Sequence, residues 1–364
     1  MKSHYLQRLK RVRAILAGRG LDAFLVTCPE NRRYLSGFTA EDVGISESAG
    51  ALLILCREAI LLTDGRYEVQ ARDEAPDWRL VIYRQGLAQA LKDLMHDCSV
   101  HNLAYEPDYL SCRRFDAIKK ALPETELVSL GGRIETMRSI KSSSEIESIK
   151  KAVSAAERVL ESIWRDIGPG MTEKEIAWRI IEELWQYAEG PSFSPIVASG
   201  PNAALPHAVP TDRPIQEGEP VLIDMGARLG GYCSDMTRTI FLGEPESLFR
   251  KIYIIVRKAQ IAAQEALRAG LTGKQVDQVA RDIIKDAGYG PGFVHSLGHG
   301  VGLAVHEAPI LSQRSRKKLR PGMVVTVEPG IYLRDQGGVR LENMALVEAD
   351  GATILSKNDW FYEF

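Results

Sequence analysis

The sequence is poor in cysteine and has no excess of charge of either sign. Its five cysteines are scattered through 364 residues without a C-x-x-C pair. This pattern is typical of reduced, mostly buried thiols in a cytoplasmic protein rather than of a disulfide framework. The formal net charge of −2 creates no field that favours nucleic acid or an anionic membrane. No apolar run approaches the ~20 residues of a membrane span, and no secretory signal is visible. We therefore expect a cytoplasmic protein with neither nucleic acid nor a membrane as partner.

Several catalytic signatures are also absent. No G-x-S-x-G is present, so a serine hydrolase would lack its nucleophile elbow. The glycine-rich stretch GYGPG at 288–292 follows a predicted helix rather than a strand, which favours a turn over a phosphate-binding loop. His295 and His299 have the spacing of a helical zinc motif, but Ser296 stands where H-E-x-x-H requires Glu, and the neighbouring glycines argue against a helix.

Helical and strand patterns divide the chain into two predicted domains. Residues 1–130 begin with a helix that ends near GRG, followed by the strand DAFLV and by GALLILC and AILLTD, which read as a hairpin around Arg57-Glu58. They predict a mixed α/β domain. Residues 131–364 form the second domain, which opens on a Gly-Gly pair and a capping box, Ser142-x-x-Glu145, at the start of a long helix.

The second domain contains an internal repeat. GMTEKEIAWRIIEELW begins at Gly170 and GLTGKQVDQVARDII at Gly270, and in both copies Gly-apolar-Thr leads into an amphipathic helix. Each copy continues with a histidine, a strand that carries a carboxylate, a Gly-rich bend and a second carboxylate. The residues are His207, Asp224 and Asp235 in the first copy and His306, Glu328 and Glu342 in the second. Folded with approximate twofold symmetry, the copies would bring four carboxylates together on one sheet.

These carboxylates predict a metal site. With a turn at Leu229-Gly230, Asp224 would directly face Asp235, and a one-step change of register would make the two aspartates diagonal neighbours. Ionised carboxylates on a half-buried face repel one another and are costly to desolvate, unless they point to solvent. Four carboxylates balance the charge of two divalent cations. Oxygen ligands with one imidazole suit Mn²⁺, Fe²⁺, Co²⁺ or Zn²⁺.

His299 is the expected imidazole ligand, because glycine on both sides lets the backbone approach an ion closely. Histidines that are merely hydrogen-bonded in the core remain the alternative. Arg340 lies two residues before Glu342, on the same strand face, where its guanidinium can orient a carboxylate.

Together these segments resemble the proline-specific metallopeptidases of the pita-bread fold. That group comprises the Xaa-Pro aminopeptidases and the Xaa-Pro dipeptidases (prolidases), which are relatives of methionine aminopeptidase and creatinase. PENRRYLSGF and TDGRYEVQA resemble the creatinase-type N-terminal domain, whereas PHAVP, IDMGA, SDMTRT, GHGVG, VHEAP, VEPGIY and VRLEN resemble the catalytic motifs in order. The resemblance implies an α/β (α+β) fold in which a creatinase-like mixed α/β domain precedes a pita-bread catalytic domain with a pseudo-twofold repeat.

The resemblance also implies roles for individual residues. Two divalent ions, with Mn²⁺ the first expectation, would be bound by Asp224, Asp235, His299, Glu328 and Glu342. Asp235 and Glu342 would bridge both ions, and Glu328 would accept the proton as a metal-bridging hydroxide attacks the scissile carbonyl. His207 and His306 would hydrogen-bond the substrate and the oxyanion. His295, Tyr332 and Arg340 would complete the substrate site, with His295 near the proline end, and the protein would be a homodimer.

We therefore predict an exopeptidase that hydrolyses the Xaa-Pro bond at the N-terminus of short proline-containing peptides. Asn343 stands where many members have Asp, and because Asn also occurs there in aminopeptidase P-like members, it favours an aminopeptidase over a dipeptidase. The dipeptidase remains the alternative. A non-catalytic binding protein, or a metal-free hydrolase of small amidines, is disfavoured because all five ligand residues are present.

Overall fold

Residues 3–44, 47–96, 100–358 and 360–364 are described by a computed structural model. The chain separates into two units, Met1–Arg138 and Ser139–Phe364. The boundary expected at residue 130 precedes the helix Arg133–Arg138, which the structure assigns to the first unit.

The described cysteines form no disulfide. Cys28 and Cys233 are buried, whereas Cys56 and Cys112 are exposed, so the expectation of mostly buried thiols holds for two of these four. Cys98 lies outside the described residues. In the described part of the chain, no helix combines the length and the apolar character needed to cross a membrane.

The first unit contains one six-stranded mixed sheet in the order β4-β3-β2-β1-β5-β6. The predicted hairpin is confirmed by the antiparallel pairing of β2 with β3, and β1 pairs in parallel with β5. All four residues of β1 are buried, as its uninterrupted apolar sequence requires for a central strand. The elements are α1 Ser3–Ala17, β1 Ala23–Val26, α2 Pro29–Ser36, β2 Ala51–Leu55, β3 Ala59–Thr63, α3 Glu68–Glu74, β4 Arg79–Ile82, α4 Leu87–His96, β5 Asn102–Tyr105, α5 Cys112–Ala121, β6 Glu126–Ser129 and α6 Arg133–Arg138.

The second unit packs four long helices against several antiparallel sheets. A three-stranded sheet has the order β11-β8-β7, a five-stranded sheet the order β13-β12-β14-β17-β18, and the pairs β9–β10 and β15–β16 extend the hairpins. The elements are α7 Ser143–Asp166, α8 Glu173–Tyr187, β7 Ile196–Ser199, β8 Pro220–Met225, β9 Arg228–Leu229, β10 Tyr232–Cys233, β11 Met236–Phe241, α9 Ser247–Ala266, α10 Gly273–Asp286, β12 Gly298–Gly300, β13 Glu307–Leu311, β14 Val324–Val327, β15 Gly330–Leu333, β16 Gly337–Arg340, β17 Asn343–Val347 and β18 Ala352–Ile354.

The two copies of the predicted repeat are built alike. The predicted capping box closes the N-terminus of α7, and α8 and α10 each begin with a capping box of their own. The chain that follows each repeat helix returns to that helix's first turn in the same way. The N–H of Lys174 donates to the carbonyl of Thr211, and the N–H of Lys274 donates to the carbonyl of Ser315. The internal repeat is therefore a repeat of structure as well as of sequence.

The first hairpin turns one residue later than the sequence predicted. Gly230 and Gly231 have φ values of 61° and 79°, and a two-residue turn with positive φ at both positions suits the twist of a hairpin. Asp224 therefore pairs with Thr237, and the prediction that Asp224 directly faces Asp235 was wrong. The two aspartates are instead diagonal neighbours, as expected from the alternative register.

The four carboxylates come from two sheets rather than one, so that expectation was also wrong. Asp224 and Asp235 belong to the hairpin of β8 and β11 in the three-stranded sheet. Glu328 and Glu342 lie next to β14 and β17 in the five-stranded sheet, and the register of these strands continues to place one glutamate opposite the other. The N–H of Glu342 donates to the carbonyl of Thr237 at 3.1 Å. The two hairpins therefore meet side by side.

Candidate metal centre

The five side chains predicted as metal ligands meet at one place in the second unit. The ligand atoms of Asp224, Asp235 and Glu342 lie within 4.8 Å of one another, and those of His299, Glu328 and Glu342 form a second such group. Asp224 is within β8, His299 is within β12, and the other three lie at strand ends, just before β11, just after β14 and just before β17. Rigid strands therefore position every one of them.

The imidazole of His299 is arranged to offer a lone pair. Its Nδ1 lies 3.1 Å from the carbonyl oxygen of Gly300, so Nδ1 carries the proton and donates. Burial lowers the pKa of His299, and the neutral ring keeps Nε2 as an acceptor. Nε2 lies 3.3 Å from Oε1 of Glu328 and 3.5 Å from Oδ2 of Asp235. Acceptors at these distances repel one another, and a cation between them would remove that repulsion. Metal-bound histidines commonly donate their other N–H to a backbone carbonyl.

Two buried carboxylate oxygens at this centre have no hydrogen-bond partner among the described residues. They are Oδ1 of Asp224 and Oε1 of Glu342. The second oxygen of each group is held, because Nη2 of Arg340 donates to Oδ2 of Asp224 at 2.6 Å and Oγ1 of Thr237 donates to Oε2 of Glu342 at 2.7 Å. Since an unsatisfied buried carboxylate oxygen is costly, the two unpaired oxygens fit positions that face a cation.

The pKa values of the clustered carboxylates also favour a cation at this centre. Burial raises the pKa values of Asp235, Glu328 and Glu342, and neighbouring carboxylates raise them further; that of Glu328 reaches about 7. The guanidinium of Arg340 offsets only part of the charge of four carboxylates. Divalent cations would supply the remainder and would keep the carboxylates ionised. The donor set present therefore fits a site for divalent metal ions.

The glycines beside His299 have a packing role that the sequence did not predict. A Cβ on Gly298 would overlap the carbonyl oxygen of Thr326, and a Cβ on Gly300 would overlap that of Ala308. The glycines therefore let β14 and β13 approach β12 from both sides. The close approach that the structure shows is to these neighbouring strands.

The carboxylates form one wall of a cavity of about 730 Å³. The predicted substrate residues His207, His295, His306 and Arg340 line it, whereas Tyr332 does not. His207 and His306 are exposed, and each comes from the corresponding loop of one repeat copy. The rings of His306 and His299 meet edge to face, with centroids 4.2 Å apart.

Tyr332 lies behind the cavity wall and connects His295 to Arg340. Nδ1 of His295 lies 2.8 Å from the carbonyl oxygen of Ser296, which can only accept, so Nε2 of the neutral ring accepts from the hydroxyl of Tyr332 at 2.9 Å. That hydroxyl accepts in turn from Nη1 of Arg340 at 2.8 Å. Burial lowers the pKa of His295 to about 4, in keeping with a neutral ring. Both ring nitrogens of His295 therefore form hydrogen bonds within the protein, and only the carbon surface of the ring is left to face the cavity.

Sequence reasoning missed two threonines that orient the glutamates. Oγ1 of Thr326 donates to Glu328 at 2.9 Å and accepts from the N–H of His299. Oγ1 of Thr237, besides its bond to Glu342, accepts from Nε of Arg340 at 3.1 Å. Threonine is an ordinary strand residue, so only its position two residues before Glu328, on the same strand face, could have singled out Thr326.

The side chains that complete the cavity wall were also missed. Phe193, Ile196 and Ile310 provide apolar surface, and no periodic pattern distinguishes them from core residues. Glu307 lines the cavity as well, but its carboxylate pairs with the buried ammonium of Lys141 at 2.7 Å and so adds no net charge.

Known proteins match this chain along both units. Residues 147–349 match metallopeptidase family M24, and residues 8–140 match the creatinase/prolidase N-terminal domain. An Xaa-Pro dipeptidase structure from Bacillus anthracis is 38% identical with a TM-score of 0.91, covering 97% of this chain and 98% of that one. An X-Pro aminopeptidase structure from Thermotoga maritima is 36% identical with a TM-score of 0.86, covering 96% and 98%. An Xaa-Pro dipeptidase of Pyrococcus furiosus is 35% identical over 97% of this chain and 98% of its own length.

The family, the fold and the hydrolase class expected from the sequence are therefore confirmed, because matches of this extent include both the catalytic and the N-terminal regions. The chain belongs to metallopeptidase family M24, as a hydrolase with a creatinase/prolidase-type N-terminal domain and a pita-bread catalytic domain.

Proposed function

We propose that this metallopeptidase is an Xaa-Pro aminopeptidase, which removes the first residue of peptides that carry proline in the second position. Similar proteins are named both as dipeptidases and as aminopeptidases, so the family leaves both activities open. The observation that carries the choice is the charge of the cavity wall. Among its described residues, Arg340 is the only arginine or lysine.

Arg340 has little capacity left for a substrate. Its Nε donates to Thr237, its Nη1 donates to Tyr332 and to the carbonyl of Pro206, and its Nη2 donates to Asp224. A dipeptide Xaa-Pro ends in a carboxylate beside the proline ring, and a desolvated carboxylate needs a cation or several donors. In a longer peptide the same position is a neutral amide. The wall therefore favours Xaa-Pro-Yaa substrates.

We propose that Asp224, Asp235, His299, Glu328 and Glu342 hold two divalent cations, with Mn²⁺ preferred because carboxylate oxygens dominate the donor set. Such a pair of ions supplies a nucleophile from water at neutral pH and polarises the scissile carbonyl. The charge of four carboxylates supports two ions rather than one.

The remaining steps are assigned to side chains of the cavity. Glu328 accepts the proton of the attacking water, since its carboxylate faces both the cavity and His299. His207 and His306 donate to the substrate and to the oxyanion, because they are exposed on the cavity wall. His295 offers ring surface to the proline, together with the apolar side chains of Phe193 and Ile310. Such a site needs no N–H from the scissile bond, which an Xaa-Pro amide lacks.

The test compares Ala-Pro with Ala-Pro-Ala under matched metal loading. We expect kcat/KM to be about tenfold or more higher for the tripeptide, and a chelator to abolish cleavage of both peptides. Preference for the dipeptide would overturn the aminopeptidase assignment in favour of a prolidase. Cleavage that resists the chelator, or no cleavage with any divalent metal, would overturn both.

A variant pair tests the charge argument directly. Ile310 lines the cavity and is half exposed, so it can accept a long polar side chain. Ile310→Arg adds a cation to the wall, and we expect it to raise the relative kcat/KM for Ala-Pro. Ile310→Gln is the uncharged control and should leave the ratio near that of the wild type. Equal effects of the two variants would contradict the argument.

We also propose a cytoplasmic homodimer. The described cysteines form no disulfide, which supports a reducing compartment, and the dimer rests on the family resemblance alone. Analytical ultracentrifugation of the metal-loaded protein tests the dimer, and a monomer at all concentrations would overturn it.

A further inference from the structure

We propose that Glu173 is a positioning residue that fixes His207 at the cavity, an inference that rests on the proposed function in giving His207 a role with the substrate. Glu173 is the first residue of α8 and is fully buried. It does not line the cavity. Its effect on the reaction would therefore pass through the loop that it holds.

The carboxylate of Glu173 binds this loop at both ends. Oε1 accepts from the N–H of Ser199 at 2.7 Å and from its hydroxyl at 2.9 Å, and Oε2 accepts from the N–H of Thr211 at 2.9 Å and from its hydroxyl at 2.6 Å. The side-chain amide of Asn202 lies 3.1 Å from both oxygens. One buried side chain thus closes the segment 199–211, within which His207 lies.

The segment reaches the metal centre as well. The carbonyl of Pro206, next to His207, accepts from Nη1 of Arg340 at 3.1 Å, and Arg340 also holds Asp224. His207 therefore lies between an anchor at the start of α8 and an anchor at the centre. Hydrogen bonds to a charged, fully buried acceptor are strong, and leaving their donors unpaired is costly.

The second repeat copy shows what Glu173 replaces. Gly273 occupies the corresponding first position of α10, and a Cβ there would overlap the carbonyl oxygen of Ile310. In that copy the carbonyl of Ile310, within β13, therefore lies where a side chain at position 273 would be. In the first copy the carbonyl of Thr211 also meets the helix at the N–H of Lys174, and the carboxylate of Glu173 adds bonds to Ser199 and Thr211. This difference in a shared scaffold indicates that Glu173 sets the position of the His207 loop in particular.

Hydrogen exchange of the metal-loaded full chain tests the anchor without any substrate. Glu173→Gln keeps the size of the side chain but replaces one acceptor oxygen by an amide NH2 group, a donor that would face the donors of Ser199 or Thr211. We expect faster exchange across 199–211 and unchanged exchange at 307–315. Glu175→Gln is the matched control, because Glu175 lies in the same helical turn, is exposed and bonds only to Thr172 among the described contacts. Unchanged exchange of 199–211 in Glu173→Gln would overturn the proposal.

A double-mutant cycle with His207→Ala then tests the route of the effect. We expect Glu173→Gln to lower kcat/KM for Ala-Pro-Ala about tenfold in the wild-type background and less than twofold in the His207→Ala background, with unchanged metal content. Equal effects in both backgrounds would show a general structural role and overturn the proposal. If the wild type cleaves neither Ala-Pro nor Ala-Pro-Ala, the proposed function fails, whereas the exchange experiment still decides whether Glu173 holds the loop.

Discussion

The guanidinium of Arg340 donates from Nη2 to Oδ2 of Asp224 across 2.6 Å, and this ion pair joins the second hairpin to the first. Both side chains are largely buried. The pair leaves Oδ1 of Asp224 free to face the centre of the cluster, so Arg340 orients a carboxylate of the other repeat copy rather than its own neighbour Glu342.

Replacing Arg340 by Lys should therefore damage the metal centre. A lysine keeps the positive charge but cannot reproduce the fork that reaches Asp224, Thr237 and Tyr332 together. Each buried polar group that loses its partner costs about 1–3 kcal/mol. We expect metal content to fall and kcat/KM to drop at least about 100-fold. Metal analysis and kinetics measure this. Arg334→Lys, beside exposed Asp335, is the control, and comparable losses in the two variants would contradict the prediction.

Removal of the divalent cations should destabilise the second unit. Without them Arg340 offsets only part of the charge of the four carboxylates, and the lone pair of His299 faces Asp235 and Glu328. We expect a chelator to lower the Tm and excess Mn²⁺ to restore it, since a ligand at 100 times its Kd stabilises by about 2.7 kcal/mol. Calorimetry with and without chelator measures the shift.

Asp235→Asn tests whether repulsion among the carboxylates, rather than a loss of structure, is what destabilises the protein without its cations. The variant removes one buried charge from the cluster, so in chelator it should melt at a higher temperature than the wild type and should gain little from Mn²⁺. Asp335→Asn, at an exposed turn position with φ 61° that Asn also tolerates, should behave as the wild type. A lower Tm of Asp235→Asn in chelator would argue against the charge account.

Glu106 predicts a pH-dependent stability of the first unit. Burial raises the pKa of its carboxyl group from 4.5 to about 7. Because the folded state then binds a proton more tightly than the unfolded chain, the stability associated with this group is complete below pH 4.5 and is lost as the pH rises towards 7. The free energy of unfolding should fall by about 1.4 kcal/mol per pH unit at the steepest point.

Denaturation of the full chain between about pH 5 and about pH 8 checks this slope. Glu106→Gln does not titrate at this position, so the difference between wild type and variant isolates the one group. The wild type should lose stability relative to the variant as the pH rises. If the free energies of unfolding of the two proteins changed in parallel with pH, the carboxyl group of Glu106 would be ruled out as the cause of the pH dependence.

Asn343→Asp should stabilise the protein without changing its substrate preference. Oδ1 of Asn343 accepts at 3.0 Å from the fully buried Arg238, whose pKa burial lowers to about 10. The other acceptors of Arg238 are backbone carbonyls. A carboxylate would give this guanidinium a charged partner, worth roughly 1 kcal/mol.

The ratio of Ala-Pro to Ala-Pro-Ala cleavage should stay the same, because residue 343 does not line the cavity. Asn343 therefore makes no contact with the cavity through which it could favour an aminopeptidase. Denaturation measures the stability of Asn343→Asp and of Asn343→Leu. The aspartate should raise the stability, whereas leucine should lower it because it removes the acceptor for Arg238. A change of substrate ratio in Asn343→Asp would contradict the placement of this residue.

Local patterns in the sequence were enough to identify the repeat, the hairpin β2–β3 and the capping box of α7. Apolar spacing and capping residues act over a few positions, so their outcome does not depend on the rest of the fold. The four carboxylates among the candidate ligands could be named for a related reason. A carboxylate within an apolar strand is costly wherever the strand packs, and the same anomaly occurs in both copies.

Only the tertiary structure decided how these parts meet. The turn at Gly230-Gly231 moved Asp235 from opposite Asp224 to a diagonal position, because register depends on which pair adopts positive φ. The contacts of Arg340 with Asp224 and of Glu173 with the His207 loop join segments that are remote in sequence. Such contacts depend on how sheets and loops pack. The sequence pattern around a residue does not show which remote segment that residue will contact.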